Sequence, residues 1–137
     1  MGTQYMKWTD DLSVNVIELD EQHRKLIEMI NLLYNSIKDA TDRQAISLLL
    51  IGLANYAAGH FAEEEKYMSL FNYHGCEQHK KEHEAFKCRI LGFKEKFENG
   101  KASLSEEVMV FMQEWLTKHI KGTDKKYTHV FNASGLR

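Results

Sequence analysis

Residues 49–71 read LLIGLANYAAGHFAEEEKYMSLF and contain no proline. Apolar and aromatic side chains recur in this stretch every three or four residues, the spacing that places them on one face of a helix. That face carries Leu49, Leu53, Tyr56, His60, Glu64, Tyr67 and Phe71. A buried imidazole or carboxylate costs free energy unless it is hydrogen-bonded, paired or bound to a metal, so His60 and Glu64 need partners. The stretch therefore predicts a core helix with a polar pair facing inward.

The same periodicity marks three further segments, so the chain is predicted to be all-α. The four helices are expected at about residues 19–38, 42–71, 77–98 and from Ser103 or Ser105 to Gly122. Asp20 is the expected N-cap of the first helix, and Asn99 with Gly100 ends the third. Because the connections are short, we expect an up-down-up-down antiparallel four-helix bundle. An irregular N-terminal arm precedes it, with Trp8, Val14, Val16 and Ile17 available to pack, and a short C-terminal tail follows it.

Composition limits the class of protein. At 137 residues the chain is expected to form a single domain, residues 1–137, around one core. Its net charge of −2 provides no basic field for nucleic acid. Its longest apolar run, near residues 48–58, is too short to span a bilayer, and residues 1–7 lack the apolar stretch of a signal peptide. These features predict a cytoplasmic protein without a membrane segment.

The two cysteines agree with that location. Cys76 and Cys88 fall on one predicted helix, where twelve residues separate them by roughly 18 Å. A disulfide needs Cα atoms within about 7 Å of each other, so an intramolecular bond is excluded. Unpaired cysteines are typical of a reducing compartment.

Seven potential metal ligands fall on the apolar stripes of the four predicted helices. They are His23, His60, Glu64, His79, His83, His119 and Asp124. His79 and His83 can converge on one ion, because residues four apart share a helix face. His119 and Asp124 are five apart, out of register for a straight α-helix, so Gly122 is expected to end or distort the last turn. Seven such groups are too many for ordinary pairing in one small core, and they predict a site for two metal ions.

The kinds of donor predict two unequal metals. An imidazole binds one metal, whereas a carboxylate has two oxygens and can bridge two. If Glu64 and Asp124 both bridge, the five histidines divide as three and two. With one shared oxo or hydroxo ligand, one metal is saturated and the other keeps one open position for a small ligand.

The identity of the donors also bears on the metal and its reactivity. Nitrogen and oxygen donors without thiolates favour a pair of non-haem irons over a structural zinc or an iron–sulfur site. Ferritin-like di-iron sites carry more carboxylates than histidines, and here that ratio is reversed. Neutral imidazoles stabilise ferric iron less, which favours reversible ligand binding over committed oxidation.

These residues, in this order and spacing, resemble the hemerythrin family, in particular its single-domain bacterial members. The resemblance extends from Trp8 through the segment after Asp124 and includes all seven potential ligands. It implies that the saturated iron is held by His79, His83 and His119. It implies that the open iron is held by His23 and His60, with Glu64 and Asp124 as bridges.

The resemblance also implies a ligand and a pocket. The family binds dioxygen reversibly while its two irons pass between Fe2+ and Fe3+, with an oxo or hydroxo ligand between them. The apolar positions that match the family's oxygen pocket are Phe61, Trp115, Leu116 and Ile120. The expected function is therefore that of an oxygen carrier, store or local supplier, and not of an enzyme.

Two other functions remain open at this point. A di-iron oxidase, peroxidase or nitric oxide reductase would use the same open position, although the sequence offers no clear proton relay or substrate channel. An oxygen- or iron-sensing module would need a separate partner for its output. For the carrier, we expect dioxygen as ligand, an oxygen-using enzyme as partner and a monomeric state.

Other polar residues near the predicted ligands have ordinary interpretations. His74 and His129 are expected at the surface, since they fall in a break and in the C-terminal tail. Of the remaining residues, the two glutamates are predicted to form a solvated edge, and the two tyrosines could donate hydrogen bonds near the site, although as bundle residues they have no need to. These four residues are Glu63, Glu65, Tyr67 and Tyr127.

Overall fold

The structure, a computed structural model, describes residues 6–39, 43–99 and 105–137, so Gly100 and Ser103 lie outside the described residues. Its main helices are α1 (Ile17–Lys38), α2 (Arg43–Leu70), α3 (Cys76–Glu98) and α4 (Ser105–Glu114). A π-helix at Trp115–Thr123, called here the π segment, continues α4 and leads into a 3-10 turn at Asp124–Tyr127 and the short α5 (Thr128–Ala133). The described part of the chain contains no strand, and the predicted four-helix bundle is confirmed.

Each main helix lies beside the one before it in the chain. α2 packs against α1 and α3, and α1 also packs against α4. After α2, Asn72 has a φ of 55°, in the left-handed region that asparagine adopts more readily than most residues. The Tyr73 N–H donates to the Met68 carbonyl at 2.8 Å and the Asn72 N–H to the Ser69 carbonyl at 3.2 Å, the Schellman pattern that closes a helix end. The predicted break after α2 is therefore a capped reversal of the chain.

Asp20 fastens the N-terminal arm to α1, although not as predicted. Because α1 begins at Ile17, Asp20 lies within its first turn, and the prediction that it is the N-cap is wrong. Its carboxylate accepts hydrogen bonds from Ser13 Oγ at 2.5 Å and from the Val14 N–H at 2.8 Å. Val14 and Val16 are fully buried as expected, whereas Ile17 is 69% exposed and does not pack.

Two apolar clusters fill the bundle, and a polar layer separates them. The larger cluster includes Leu26, Ile30, Leu53, Phe61, Phe86, Phe93 and Met112. The smaller cluster is formed by Val14, Val16, Leu19, Met68, Tyr73, Tyr127 and Phe131. The predicted ligands lie at or next to the boundary between the two clusters along each helix: on α1, His23 follows Leu19 and precedes Leu26. The fold thus brings all seven to one level of the bundle.

The composition of α2 follows from its central place in the bundle. By length and composition alone, the stretch Gln44–Leu70 could cross a membrane. On one side of the helix, however, Leu50, Leu53, Ala57 and Met68 are buried against the neighbouring helices. This burial accounts for an apolar composition, so the helix gives no separate indication of a membrane.

The positions of the two cysteines agree with the prediction that they form no intramolecular disulfide. Cys76 and Cys88 are both free and both lie on α3. Cys76 is half-buried and Cys88 is exposed.

Two adjacent leucines on α1 test how much the core contributes to stability. Leu33 is 1% exposed and Leu32 is 55% exposed. We expect Leu33→Ala to lower the free energy of unfolding by about 2–5 kcal/mol, because it leaves a cavity in the larger cluster. Leu32→Ala is the matched control and should change it by no more than about 0.5 kcal/mol. Urea unfolding of both metal-free variants, followed by circular dichroism, measures the difference; equal losses would contradict this packing.

Candidate metal centre

All seven predicted ligands meet in the buried polar layer. Their exposures range from 0% to 3%. Their donor atoms form two groups, and within each group the atoms lie within 4.8 Å of one another. One group contains Glu64, His79, His83, His119 and Asp124, and the other contains His23, His60, Glu64 and Asp124. The two carboxylates are therefore shared, and the histidines divide as three and two.

Asp124 lies between histidines of both groups. Its Oδ1 is 2.7 Å from His79 Nε2 and 3.0 Å from His119 Nε2. Its Oδ2 is 3.1 Å from His23 Nε2. Each oxygen of this carboxylate thus faces a different group.

Glu64 makes a similar set of contacts from α2. Its Oε1 is 3.2 Å from His83 Nε2 and 3.4 Å from His60 Nε2. Its Oε2 is 3.5 Å from His23 Nε2 and accepts a hydrogen bond from the Tyr127 hydroxyl at 2.6 Å. Tyr127 thus makes the kind of hydrogen bond near the site that the sequence left open for it, and its partner is a proposed ligand.

These close nitrogen–oxygen contacts are not hydrogen bonds. The buried atoms without a hydrogen-bond partner among the described residues include Nε2 of four of the histidines, Oε1 of Glu64 and both oxygens of Asp124. Buried polar groups are normally hydrogen-bonded, so a concentration of unpartnered donor atoms calls for an explanation. Imidazole nitrogens and carboxylate oxygens that point at common centres, away from water, fit divalent or trivalent iron. The residues present therefore fit a pair of metal ions.

The π segment explains how residues five apart reach the same site. The backbone N–H of Asp124 donates to the carbonyl of His119, an i to i+5 hydrogen bond. Such bonding widens the helix and places residues five apart on one side of it. Gly122 lies within this segment, and the predicted distortion of the last turn is a π-helix that runs on without a break.

Charge in the centre is balanced by the histidines. Burial lowers the pKa of His23, but the carboxylates of Asp124 and Glu64 outweigh that effect and raise the pKa to about 10. Burial is the dominant effect on His60 and lowers its pKa to about 4. Burial raises the pKa of Asp124, yet the surrounding histidines hold it well below its usual range. In the metal-free protein, a protonated His23 thus faces two carboxylates, and a bound cation would replace that proton.

Three histidines have an outer partner at their second ring nitrogen. Nδ1 of His60 lies 2.6 Å from Gln22 Oε1, and Nδ1 of His83 lies 2.8 Å from Glu65 Oε2. The third pair joins Nδ1 of His119 to Glu82 Oε1 at 2.8 Å. Each partner comes from a different helix than its histidine. The assignment of Glu65 to a solvated edge is therefore wrong, and sequence reasoning did not single out Gln22 or Glu82.

Two of the predicted pocket residues stack on histidine rings. The Phe61 ring lies 3.8 Å from that of His83, with 7° between the planes. The Trp115 ring lies 3.8 Å from that of His119, with 12° between the planes. Leu116 and Ile120 are buried in the larger apolar cluster.

A surface groove of about 210 Å³ lies on the outer side of the three-histidine group. Trp115, Phe111, Glu82 and the edge of His119 are among its lining residues. His74 and His129 are exposed away from this region, as predicted.

Comparisons with known proteins agree with this arrangement. Residues 15–129 match the family model described as the hemerythrin HHE cation binding domain. The bacteriohemerythrin of Stenotrophomonas maltophilia is 34% identical over 120 residues, which cover 88% of this chain and 77% of that protein. The myohemerythrin of Theromyzon tessulatum is 36% identical over 121 residues, which cover 88% of this chain and 89% of that protein. A solved structure of wild-type hemerythrin matches with a TM-score of 0.82 at 31% identity, over 91% of this chain and 96% of that one.

Removal of the Tyr127 hydroxyl tests the contact with Glu64. Tyr127→Phe should lower the free energy of unfolding of the metal-free protein by about 1–3 kcal/mol, because it leaves a buried carboxylate oxygen without its donor. Tyr67 donates to Glu18 at 2.6 Å near the surface, so Tyr67→Phe is the matched control and should cost less than about 1 kcal/mol. Denaturant titration of the two variants makes the comparison, and a smaller loss for Tyr127→Phe would count against the buried contact.

Proposed function

The chain belongs to the hemerythrin family, and from that premise we propose that it binds dioxygen reversibly at a non-haem di-iron centre. One observation carries the proposal: two groups of buried donors share both of their carboxylates, Glu64 and Asp124. A site for a single ion has no need of two carboxylates that each face histidines of both groups. Two ions held side by side have that need, because a carboxylate can donate one oxygen to each.

We assign the ligands according to these groups. His79, His83 and His119 would hold one iron, and His23 and His60 would hold the other, with Glu64 and Asp124 bridging them. Bound iron supplies the electrons for reversible dioxygen binding, together with an open position on the side that has only two histidines. The proposed cofactor is a pair of irons with a bridging oxo or hydroxo ligand.

The chain's own residues limit the access of water and of proton donors to the centre. His23 and Asp124 are completely buried, and the larger apolar cluster closes one side of the polar layer. The Tyr127 hydroxyl donates a hydrogen bond to the proposed ligand Glu64. Burial and the Glu64 charge raise the pKa of Tyr127 well above its usual value, so its proton stays in place at neutral pH. Restricted access of water and protons favours release of dioxygen unchanged over its reduction.

Phe61, Trp115, Leu116 and Ile120 would line the oxygen pocket. All four are buried members of the larger apolar cluster, and Phe61 lies 5.7 Å from the His60 ring of the two-histidine group. The likeness to hemerythrin and myohemerythrin supports carriage, storage or local supply over an enzymatic role. We further propose that residues 1–137 form one domain and that the protein acts as a cytoplasmic monomer supplying an oxygen-using enzyme.

Optical spectroscopy of the iron-loaded protein tests the proposed function. Anaerobic loading with ferrous iron should give two irons per chain, and admission of oxygen should produce a visible absorption band. Removal of oxygen should bleach that band, and repeated cycles should restore it without formation of peroxide. An irreversible change, or steady consumption of oxygen or nitric oxide with a reductant, would point to an oxidase, peroxidase or reductase instead.

Loss of a proposed bridge should impair assembly of the iron pair. We expect Glu64→Ala or Asp124→Ala to hold less than the full two irons per chain, because each removes a ligand common to both groups. Glu63→Ala, one residue from Glu64 on a side chain paired with Lys66, is the matched control and should load fully. Iron analysis after desalting measures occupancy, and circular dichroism establishes that each variant is helical. Full occupancy in both variants would contradict the bridging assignment.

A further inference from the structure

The outer hydrogen bonds of the histidines differ between the two groups. In the three-histidine group, both outer partners are carboxylates: Glu65 on His83 and Glu82 on His119. In the two-histidine group, the outer partner is the amide of Gln22 on His60. Each group also contains one histidine, His79 or His23, whose Nδ1 has no hydrogen-bond partner among the described residues. The difference between the groups is therefore two carboxylates against one neutral amide.

The chemistry of these partners fixes the ring protons. Carboxylate oxygens and the amide oxygen of Gln22 only accept hydrogen bonds, so Nδ1 of His60, His83 and His119 must donate. Nε2 of each ring is then left as the donor atom that faces the centre. A carboxylate in this outer position raises the basicity of the imidazole and holds its orientation.

The two groups of histidines also differ in the charge of their outer partners. Glu65 and Glu82 are 27% and 32% exposed, so solvent screens them only in part. The Thr123 hydroxyl also donates to Glu82 Oε1 at 2.8 Å, which holds this carboxylate in place. A negative charge behind a ligand stabilises the more highly charged ion at that ligand. Gln22 carries no charge and offers no such stabilisation.

We propose that Glu65 and Glu82 are positioning residues that act through His83 and His119 to make the three-histidine iron the first to become ferric. Gln22 correspondingly leaves the two-histidine iron ferrous until the second oxidation. This inference rests on the proposed di-iron function and deepens it, since it assigns the order in which the two metals lose electrons. In each step one Fe2+ gives one electron to an external one-electron oxidant such as ferricyanide and becomes Fe3+.

The consequence for the proposed carrier is a division of roles. The iron with the open position stays in the state that accepts dioxygen, and the iron backed by carboxylates gives up its electron more readily. The outer glutamates thus make the iron that is oxidised first a different iron from the one that binds dioxygen.

A redox titration of the iron-loaded protein distinguishes the two metals. Without oxygen and with mediators present, ferricyanide oxidises and dithionite reduces the protein in two one-electron steps, each with its own potential. Electron paramagnetic resonance measures the Fe2+/Fe3+ form that exists between the two steps. Glu65→Gln and Glu82→Gln should each raise the first potential and leave the second nearly unchanged. Gln22→Glu should lower the second potential and leave the first nearly unchanged. We expect each change to lower the equilibrium constant for forming the mixed state about tenfold, or ~59 mV.

Matched controls separate these effects from a simple change of net charge. Glu63→Gln and Glu84→Gln remove one charge from α2 and α3, and their carboxylates pair with lysines rather than with histidines. Both controls should leave the two potentials within the error of the unsubstituted protein. Because three separate variants report on the order, loss of iron from one of them leaves the other two to decide.

Several outcomes would overturn the inference. If Glu82→Gln moved the second potential, or Gln22→Glu moved the first, the two irons would be oxidised in the opposite order to the one proposed. If the potentials of the three variants shifted no more than those of the two controls, the outer partners would not set the order of oxidation. If two irons bind and the visible band is reversible while the potentials do not move, only this inference fails. If the unsubstituted chain does not hold two irons, the proposed function fails with it.

Discussion

Glu64 and Asp124 are fully buried carboxylates in a polar layer that lies between two apolar clusters. An uncompensated carboxylate in that environment costs several kcal/mol, so each must be met by other groups. Histidines from α1, α2, α3 and the π segment approach them, and every helix therefore has to deliver a side chain to the same level. This requirement constrains the axial shift and rotation of all four helices. The two apolar clusters on either side supply the gain in free energy that makes the burial possible.

The π segment is the clearest sign of that constraint. An α-helix would turn Asp124 away from the side that carries His119, because residues five apart do not share a face. The hydrogen bond from the Asp124 N–H to the His119 carbonyl changes the local register and returns the carboxylate to the centre. Such segments are uncommon and tend to occur at functional sites. Here the departure from regular geometry brings one of the two shared carboxylates into the polar layer.

Much of the fold and of the candidate site follows from sequence patterns. The four helices begin and end close to where their periodicity predicts, and the seven predicted ligands all prove to be buried together. The prediction that Asp20 is an N-cap is wrong because, in the sequence, an acidic residue in the first turn of a helix looks like an N-cap. Its hydrogen-bond partners lie in the N-terminal arm. The prediction that Glu65 belongs to a solvated edge is wrong for a related reason. In the sequence, a charged residue beside an apolar stripe looks the same whether its side chain contacts water or a histidine of the next helix.

The sequence by itself determined the helices, their apolar stripes and the kinds of donor that lie on them, because helical periodicity is a local property of the chain. Only the tertiary structure decided which side chains meet between helices. Gln22 with His60, Glu82 with His119 and Tyr127 with Glu64 are separated by 38, 37 and 63 residues along the chain. Their contacts depend on the rotation and axial shift of each helix, which the packing of the whole core sets. The same packing places two carboxylates behind one group of histidines and an amide behind the other.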